Sequence, residues 1–297
     1  MNEHDGCIIL NMLNGIGGLS AWKRRGSGTN ALIKACGSVS AVFDLDTAAL
    51  SRVDGISTEQ ADRIVRWYEF ADLGRELETA KDEGVTILCL ADDDYPDSLR
   101  ELDNPPLCIY LRGILPSDLA AHSIAIVGTR TPTEFGIRMA RDFSMSAVRK
   151  GWSTFSGLAS GVDTIVHRST IDAGGKTVAV LGSGLANVYP PENIELARAV
   201  VRAGGALVSE YPMNTKSTRY TLPRRNRIIA RLSLCTLVIE ATERSGALMT
   251  AAYAAERGCL VFAVPGDANN PMAVGSNHLI REGAKPVTSF EDILNGL

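Results

Sequence analysis

The sequence predicts an α/β protein in which a parallel sheet, covered by helices on both faces, follows a small helical domain. From residue 113 onward, short and nearly continuous apolar runs alternate with helical stretches, which is typical of a parallel sheet buried on both faces. The preceding residues form mostly short helical segments, and 297 residues suit a small domain beside a medium one. We therefore predict domains over residues 1–112 and 113–297.

The composition excludes several classes of protein. Apolar residues make up 45% and charged residues 22%, as in ordinary globular chains and not in disordered ones. No apolar run reaches the roughly 18 residues of a membrane span, and the polar, acidic start is unlike a signal peptide. The six cysteines form no Cys-x-x-Cys pair and have no histidine at ligand spacing, which argues against structural zinc and disulfides. We expect a cytoplasmic protein without a metal or cofactor.

The charge is distributed unevenly along the chain. Residues 1–120 contain 11 Lys and Arg against 20 Asp and Glu, whereas residues 121–297 contain 19 against 14. A net charge of −4 therefore does not exclude a nucleic-acid partner for the second half, because the local sign of the charge decides binding.

The first domain is predicted to contain two helical hairpins, a longer helix and two strands. The first hairpin surrounds Gly15-Ile16-Gly17, with its second helix beginning within Leu19–Lys23, and the second hairpin lies within Leu50–Val65. The longer helix covers Thr58–Ala80, and the strands cover Val85–Leu90 and Leu107–Leu111.

The second domain is predicted to contain six strands, with a helix over Phe135–Lys150 after the first. The strands cover Ser123–Val127, Trp152–Phe155, Thr177–Leu181, Ala206–Val208, Leu234–Ile239 and Leu260–Val264. Ligands of such sheets bind at the carboxyl ends of the strands, so the turns after these strands are candidate sites.

The turn after the first strand of this domain is Gly128-Thr129-Arg130. A glycine lets the backbone approach an anion, and an arginine beside a helix N-terminus offers a bidentate phosphate donor. The spacing is not Gly-x-Gly-x-x-Gly and the next strand lacks a terminal acid, so a dinucleotide site is not indicated. A tight turn with a surface arginine is the alternative.

The next two turns are also rich in glycine and hydroxyl groups. Ser156 and Gly157 begin the second turn, where Asp163 and His167 favour helix-capping or core hydrogen bonds over catalysis because no nucleophile accompanies them. The third turn is Gly182-Ser183-Gly184, and Lys176 before its strand either reaches the ligand or is simply solvated.

A basic segment provides the strongest local signal. Lys216–Arg231 contains six basic residues and no acid, together with Tyr220, and therefore offers phosphate contacts and base stacking. Glu240, at the end of a later strand, is either a general base or, as we prefer, a structural partner of the Arg225–Arg227 segment.

Together these motifs resemble the DNA-processing protein A family (DprA, also called Smf). The matching segments, in chain order, are Gly128-Thr129-Arg130, Ser156–Asp163, Gly182-Ser183-Gly184, Pro223–Ala230, Ser245–Ala251, Val264-Pro265-Gly266 and Gly275–Ile280. The resemblance runs from the Gly15-Ile16-Gly17 hairpin to Pro286.

The resemblance implies a Rossmann-like domain behind a small SAM-like, helix-hairpin-helix domain. It implies a non-catalytic protein that binds and protects single-stranded DNA and loads the RecA recombinase onto DNA covered by single-strand binding protein. The implied setting is natural transformation or homologous recombination, and the implied assembly is a homodimer formed around Leu279 and Ile280.

The resemblance also assigns the DNA site. Arg130 and Lys176 are implied to line the pocket, with the Pro223–Arg227 segment at its flank. The full set of predicted DNA-binding residues is Gly128, Thr129, Arg130, Ser156, Gly157, Lys176, Gly182, Ser183, Gly184, Arg224, Arg225, Asn226 and Arg227.

The chain departs from the family pattern at a few positions. Thr129 replaces the usual serine, Met213–Ser217 replaces a loop rich in Gly and Pro, and Arg231 stands where glycine is frequent. The chain ends at Leu297 without the winged-helix domain of many relatives, so duplex binding through such a domain is not expected.

Two other functions compete with DNA binding. The lysine-decarboxylase-like (LOG) phosphoribohydrolases share the fold superfamily, but their Pro-Gly-Gly-x-Gly-Thr-x-x-Glu motif is absent, since Pro265-Gly266-Asp267-Ala268 lacks the later residues. A sensor of a nucleotide-derived signal would use the same pocket for a small ligand.

Overall fold

The computed structural model describes residues 1–16 and 29–297, which divide into two units. The smaller unit comprises Met1–Leu111, Ser183–Asn187 and Ser209–Lys216, and the larger unit comprises Arg112–Gly182, Val188–Val208 and Ser217–Leu297. Gly17 and the helix predicted within Leu19–Lys23 lie outside the described residues. The domain limits predicted at residues 112 and 113 stay a prediction.

The smaller unit consists of short helices and two neighbouring strands. Its elements are α1 (Glu3–Ile16), α2 (Thr29–Cys36), α3 (Val39–Val42), α4 (Thr47–Leu50), α5 (Thr58–Val65), a 3-10 turn (Trp67–Glu69), α6 (Leu73–Asp82), β1 (Val85–Cys89), α7 (Asp97–Arg100) and β2 (Cys108–Gly113). Ile8, Ile9 and Leu10 of α1 are buried with Leu50 and Leu99, so α1 supplies much of the core of this unit.

The single helix predicted over Thr58–Ala80 is wrong, because the chain forms two helices there. Ser57 begins α5 with a capping box that includes Gln60. The carboxylate of Asp72 accepts a hydrogen bond from the Arg75 amide and begins α6. The N-cap at Asp72 starts a second helix. The spacing of the apolar residues, a mixture of three and four, does not reveal this break.

The strands of the larger unit lie close to the predicted positions. They are β3 (Ser123–Val127), β4 (Ser153–Ser156), β5 (Thr177–Leu181), β6 (Ala206–Ser209), β7 (Cys235–Val238), β8 (Leu260–Ala263) and the short β9 (Lys285–Pro286). Their order is β6-β5-β4-β3-β7-β8-β9, and β3 pairs in parallel with both β4 and β7. From β3 the chain runs through β4, β5 and β6 on one side, and it then continues with β7 on the other side of β3. The strand order therefore reverses between β3 and β7, which makes this position a topological switch point.

Helices lie on both faces of this sheet, which confirms the predicted α/β, Rossmann-like fold class. They are α8 (Glu134–Arg149), α9 (Val162–Asp172), α10 (Ile194–Arg202), α11 (Thr221–Arg231), α12 (Gly246–Glu256), α13 (Val274–Arg281) and α14 (Phe290–Gly296). Phe143 of α8, Val166 of α9 and Phe290 of α14 share one apolar core with β3, β7 and β8. Helices α11 and α12 pack against each other, and they also contact the sheet, α11 at β5 and α12 at β7.

Two further observations concern the whole described chain. All six cysteines are free thiols. Among residues 1–16 and 29–297, no helix combines the length and apolar character that a membrane crossing requires.

Candidate nucleic-acid interface

The turn after β3 is held by backbone contacts on both sides. The Thr129 amide donates to the Glu240 carbonyl at 2.7 Å, and the Val162 amide donates to the Thr129 carbonyl at 3.1 Å. A Cβ at Gly128 would lie 2.6 Å from Cγ2 of Val162, so the glycine permits close packing on α9. The anchored turn presents Arg130 at the surface.

The turn after β4 is buried. Oγ of Ser156 donates to the Ile126 carbonyl at 2.8 Å, and Leu158 has a φ of 59°, in the left-handed region. The Asp163 carboxylate accepts hydrogen bonds from the amides of Gly157 at 3.1 Å and Ala159 at 3.3 Å. Of the two predicted roles, Asp163 therefore has the core hydrogen-bonding one and not the capping one, since the N-cap of α9 is Gly161.

Arg225 organises the cleft from within the protein. Its side chain is only 4% exposed, and Nη1 donates to the carbonyls of Gly157, at 2.5 Å, and Val180. Nε donates to Oδ1 of Asn226 at 2.9 Å. Burial raises the pKa of Asp163, while the positive charge of Arg225 opposes that rise. The direct contact of Arg225 with DNA stays a prediction.

Helix α11 also fixes the start of α12. Nδ2 of Asn226 donates to the Gly246 carbonyl at 3.1 Å, and the Ser245 side chain caps α12 by accepting from the Ala247 amide. Asn226 and Arg227 are buried, whereas Arg224 is half-buried. The α11 residues predicted to bind DNA thus serve mainly as the inner wall of the interface.

A cleft of about 340 Å³ opens at the switch point, between the turn after β3 and the start of α12. It is lined by Val127, Gly128, Thr129, Arg130, Ala159, Asp163, Leu222, Pro223, Arg225, Asn226, Ile229, Thr242, Arg244, Ser245, Gly246, Ala247 and Thr250. Arg130 and Arg244 are exposed, and neither side chain makes a hydrogen bond or ion pair with the described part of the chain. We call these two side chains the arginine pair.

A smaller cavity of about 100 Å³ adjoins Arg130 on the other side. Tyr189, Glu192 and Leu222 line it together with Arg225, and Oγ of Ser160 donates to Oε1 of Glu192 at 2.9 Å. Tyr189 is 43% exposed, so its ring is available for stacking beside the arginine. Glu192 is the acidic group that an approaching phosphate would have to avoid.

The structure does not bring Lys176 to this edge, contrary to the expectation from the resemblance. Thr154 of β4 is paired with Thr177 of β5, so Lys176 stands at the amino ends of the parallel strands. Arg130 follows the carboxyl end of β3, and a five-residue strand spans about 16 Å. Lys176 is exposed at the opposite edge of the sheet.

The predicted third turn is divided between the two units. Gly182 belongs to the larger unit, where a Cβ would lie 2.9 Å from Cα of Leu222. Ser183 and Gly184 belong to the smaller unit, where the Ser183 carbonyl accepts a hydrogen bond from Oγ of Ser209.

Two other candidate residues have structural roles. Glu240 is 1% exposed, and its carboxylate accepts hydrogen bonds from the amide and hydroxyl of Thr133, just before α8. Glu240 therefore has a structural role, but its partner is Thr133, and the predicted pairing with the Arg225–Arg227 segment is wrong. Nδ1 of His167 is hydrogen-bonded to Oγ1 of Thr177 at 2.7 Å, and burial lowers the pKa of His167 to about 3.

Arg244 is the residue that the sequence analysis missed. It lies between β7 and α12, next to Ser245, the N-cap of the helix. A basic residue in the turn after a parallel strand, directly before a helix N-terminus, is the signal that identifies it.

Comparisons with known proteins agree with this architecture. Residues 86–297 match the family model described as DNA recombination-mediator protein A. The DNA processing protein DprA of Bacillus subtilis is 38% identical over 228 residues, which are 77% of this chain and 76% of that protein. Two relatives named Smf are longer, and the matches span 63% and 54% of their length.

Two solved structures are similar to the chain. The X-ray structure of DprA from Streptococcus pneumoniae gives a TM-score of 0.79 at 29% identity and covers 99% of this chain and 98% of that one. DNA processing protein A from Helicobacter pylori, studied for its single-stranded DNA binding mode, gives 0.63 at 24% identity, covering 71% and 94%. The second likeness concerns the fold alone. The family match, the sequence identity and the shared fold together show that this chain belongs to the DNA recombination-mediator protein A family.

Proposed function

We propose that this protein binds single-stranded DNA at the carboxyl edge of the sheet in its larger unit. The observation that carries the proposal is the arginine pair, two exposed guanidinium groups without partners in the described chain, at one cleft. A guanidinium group binds phosphate through two parallel hydrogen bonds. A guanidinium group without a partner in the protein loses no existing hydrogen bond when it binds the phosphate.

The surroundings of the arginine pair suit a flexible, single-stranded chain. The N-terminus of α12 adds a partial positive charge beside Arg244. Tyr189 and Tyr220 are exposed aromatic rings, and the guanidinium of Arg219 lies 4.7 Å from the ring centre of Tyr220. Stacking on such rings tolerates any base sequence, so we propose binding with little sequence preference.

We further propose that the bound strand is protected and delivered to the RecA recombinase, including strands first covered by single-strand binding protein. The family description as a recombination mediator supports this role. The names of the relatives support DNA processing, and we propose natural transformation or homologous recombination as its setting. We propose that the protein acts as a binding protein and mediator rather than an enzyme.

The proposed assembly is a homodimer formed around Leu279 and Ile280. A groove of about 760 Å³ is lined by α12, α13 and β8, and Leu279 is among its lining residues. Val274, at the start of α13, is 40% exposed. An apolar surface of this kind favours contact with a second copy of the chain.

The decisive experiment is fluorescence anisotropy of a labelled dT oligonucleotide at several salt concentrations. On single strands each neutralised phosphate contributes about −0.7 to the slope of log K against log salt. We expect R130A and R244A each to weaken binding about tenfold and to reduce the slope by about 0.7, and the double variant to lose about 1.4.

The matched control is R149A, because Arg149 is exposed at the end of α8, at the amino edge of the sheet. Equal effects of R149A and R130A would show that only general charge matters. Lys176→Ala tests the assignment implied by the resemblance, and the geometry leads us to expect an effect no larger than that of R149A. Binding of a mononucleotide in place of the oligonucleotide would favour the sensor of a nucleotide-derived signal.

A further inference from the structure

A cluster of metal-binding side chains lies in the smaller unit, in residues that DNA binding does not use. A ring nitrogen of His4, Sγ of Cys89 and a carboxylate oxygen of Asp92 all lie within 4.8 Å of one another. His4 belongs to the first turn of α1, Cys89 ends β1, and Asp92 lies in the turn that follows. Three segments of the unit therefore converge on one point.

The contacts within the cluster hold the donor atoms in place. Nδ1 of His4 lies 3.0 Å from Oδ2 of Asp92, and the Cys89 amide donates to the same oxygen at 2.7 Å. The sulfur of Cys89 lies 3.5 Å from the His4 carbonyl oxygen and 3.6 Å from the sulfur of Cys108. Cys7, Cys89 and Cys108 are all fully buried, so the protein interior restricts the movement of the Cys89 sulfur.

The spacing suits a tetrahedral ion. Zinc bonds of about 2.0–2.3 Å place the ligand atoms of a tetrahedron about 3.3–3.8 Å apart. The longest separation, at most 4.8 Å, would have to shorten by roughly 1 Å, whereas the 3.0 Å between Nδ1 of His4 and Oδ2 of Asp92 would have to lengthen slightly. The side chains of His4 and Asp92 are 40% and 28% exposed, so they can make this movement and leave an entry path for the ion.

We propose that His4, Cys89 and Asp92 form a binding site for a divalent zinc-class ion, with water as the fourth ligand. One thiolate, one imidazole and one carboxylate are the donor types that zinc accepts, whereas magnesium and calcium need more oxygen ligands. The site does not depend on the proposed DNA function.

The bound ion acts as a structural clamp. It links the first turn of α1 to the end of β1, which lies 85 residues further along the chain. An ion that binds the folded unit but not the unfolded chain stabilises the fold, and closing a long loop adds to this effect.

The test uses cobalt(II) as a spectroscopic substitute for zinc in the full-length protein, stripped with a chelator and kept reduced. We expect one equivalent of cobalt to produce thiolate-to-metal charge-transfer absorption together with the visible bands of a tetrahedral ion, and zinc to displace it. Cys89→Ser should abolish the charge-transfer absorption. His4→Gln should weaken cobalt binding by at least about tenfold.

The matched control is Cys36→Ser, since Cys36 lies on α2 of the same unit, is free and is outside the cluster. It should keep both the absorption and the affinity of the wild type. Absence of one-equivalent binding, or an unchanged spectrum in Cys89→Ser, would overturn the proposal. If Cys89→Ser does not fold, the cobalt affinity of His4→Gln tests the proposal, because His4 is half-exposed and its replacement leaves the core intact. Undiminished affinity in this variant would also overturn the proposal.

Discussion

Arg225 is a buried guanidinium that shapes a cleft for the exposed guanidinium groups of the arginine pair. It draws together the ends of β4 and β5 by donating to the carbonyls of Gly157 and Val180. A buried charge held by several acceptors is costly to leave unpaired. We therefore assign Arg225 a positioning role, and the position of the Gly157 turn depends on it.

Gly157→Ala should destabilise the protein and reduce DNA affinity together. The added Cβ would overlap the guanidinium of Arg225, and moving that guanidinium aside would break its hydrogen bonds to the carbonyls of Gly157 and Val180. Overpacking of this kind costs about 1–3 kcal/mol. Urea unfolding and oligonucleotide anisotropy measure the two effects. Gly74→Ala is the control, because a Cβ there meets only an Asp72 oxygen at 3.6 Å, and it should lower neither quantity.

His167 should make the stability of the fold depend on pH. Its pKa is about 3 in the folded protein and 6.5 as an ordinary histidine, so below pH 6.5 the unfolded chain binds a proton that the folded protein does not. Stability should therefore fall with decreasing pH, by about 1.4 kcal/mol per unit between pH 6.5 and 3.

The measurement is urea unfolding of the wild type and His167→Gln from pH 7.5 down to about pH 5. Glutamine can retain the hydrogen bond to Thr177 but does not titrate, so the variant should show a flatter dependence. His122→Gln is the control, because the His122 side chain is 51% exposed. Parallel curves for the wild type and His167→Gln would contradict the assignment.

For single residues, the sequence predicts the edge of the sheet correctly when the residue follows a strand, and less well when it precedes one. Arg130 is predicted and found at the carboxyl edge because Gly128-Thr129-Arg130 directly follows β3. Lys176 was assigned by resemblance, and only the strand register reveals that it lies at the other edge. The cluster of His4 and Cys89 escapes spacing rules because its members are distant in the chain.

Helix α8 depends on a single carboxylate at its start. Glu240 accepts hydrogen bonds from the amide and hydroxyl of Thr133, and Thr133 in turn accepts from the Gly136 amide as the N-cap. The start of α8 is thus fastened to the segment that follows β7.

Glu240→Gln should destabilise the fold by about 1–2 kcal/mol while preserving DNA affinity. The amide of glutamine keeps one acceptor but loses the charge that strengthens two hydrogen bonds. Chemical unfolding and oligonucleotide anisotropy on the folded fraction separate the two readouts. Loss of binding in a folded variant would show that the carboxylate contributes to the interface itself.

Some secondary-structure elements of this fold can be predicted from the sequence, and others cannot. Apolar runs such as Ser123–Val127 and Thr177–Leu181 coincide with β3 and β5, because a strand buried on both faces has no polar alternation to mislead the prediction. The break between α5 and α6 was missed because it depends on the cap at Asp72 and not on apolar spacing. Which strands are neighbours was also beyond the pattern of apolar runs.

For the whole molecule, Leu279→Glu should convert the proposed dimer into a monomer. Leu279 lines the groove, and a carboxylate there would lose its hydration where a second copy packs against it. Light scattering should give twice 31.7 kDa for the wild type and 31.7 kDa for the variant. The variant should bind long oligonucleotides more weakly, because two linked sites raise the effective concentration, and short ones equally well.

The control for this substitution is Leu77→Glu, which places the same charge on another partly exposed leucine, in α6. It should leave the mass unchanged. A wild type that scatters as a monomer, or a Leu279→Glu variant that remains a dimer, would contradict the proposed assembly.

The smaller unit is not encoded by one uninterrupted stretch of sequence, since Ser183–Asn187 and Ser209–Lys216 belong to it as well as Met1–Leu111. A gene fragment that ends after codon 111 would omit both inserts, including the Ser209 hydroxyl that donates to Ser183. Neither unit can therefore be transferred intact to another protein by a single crossover.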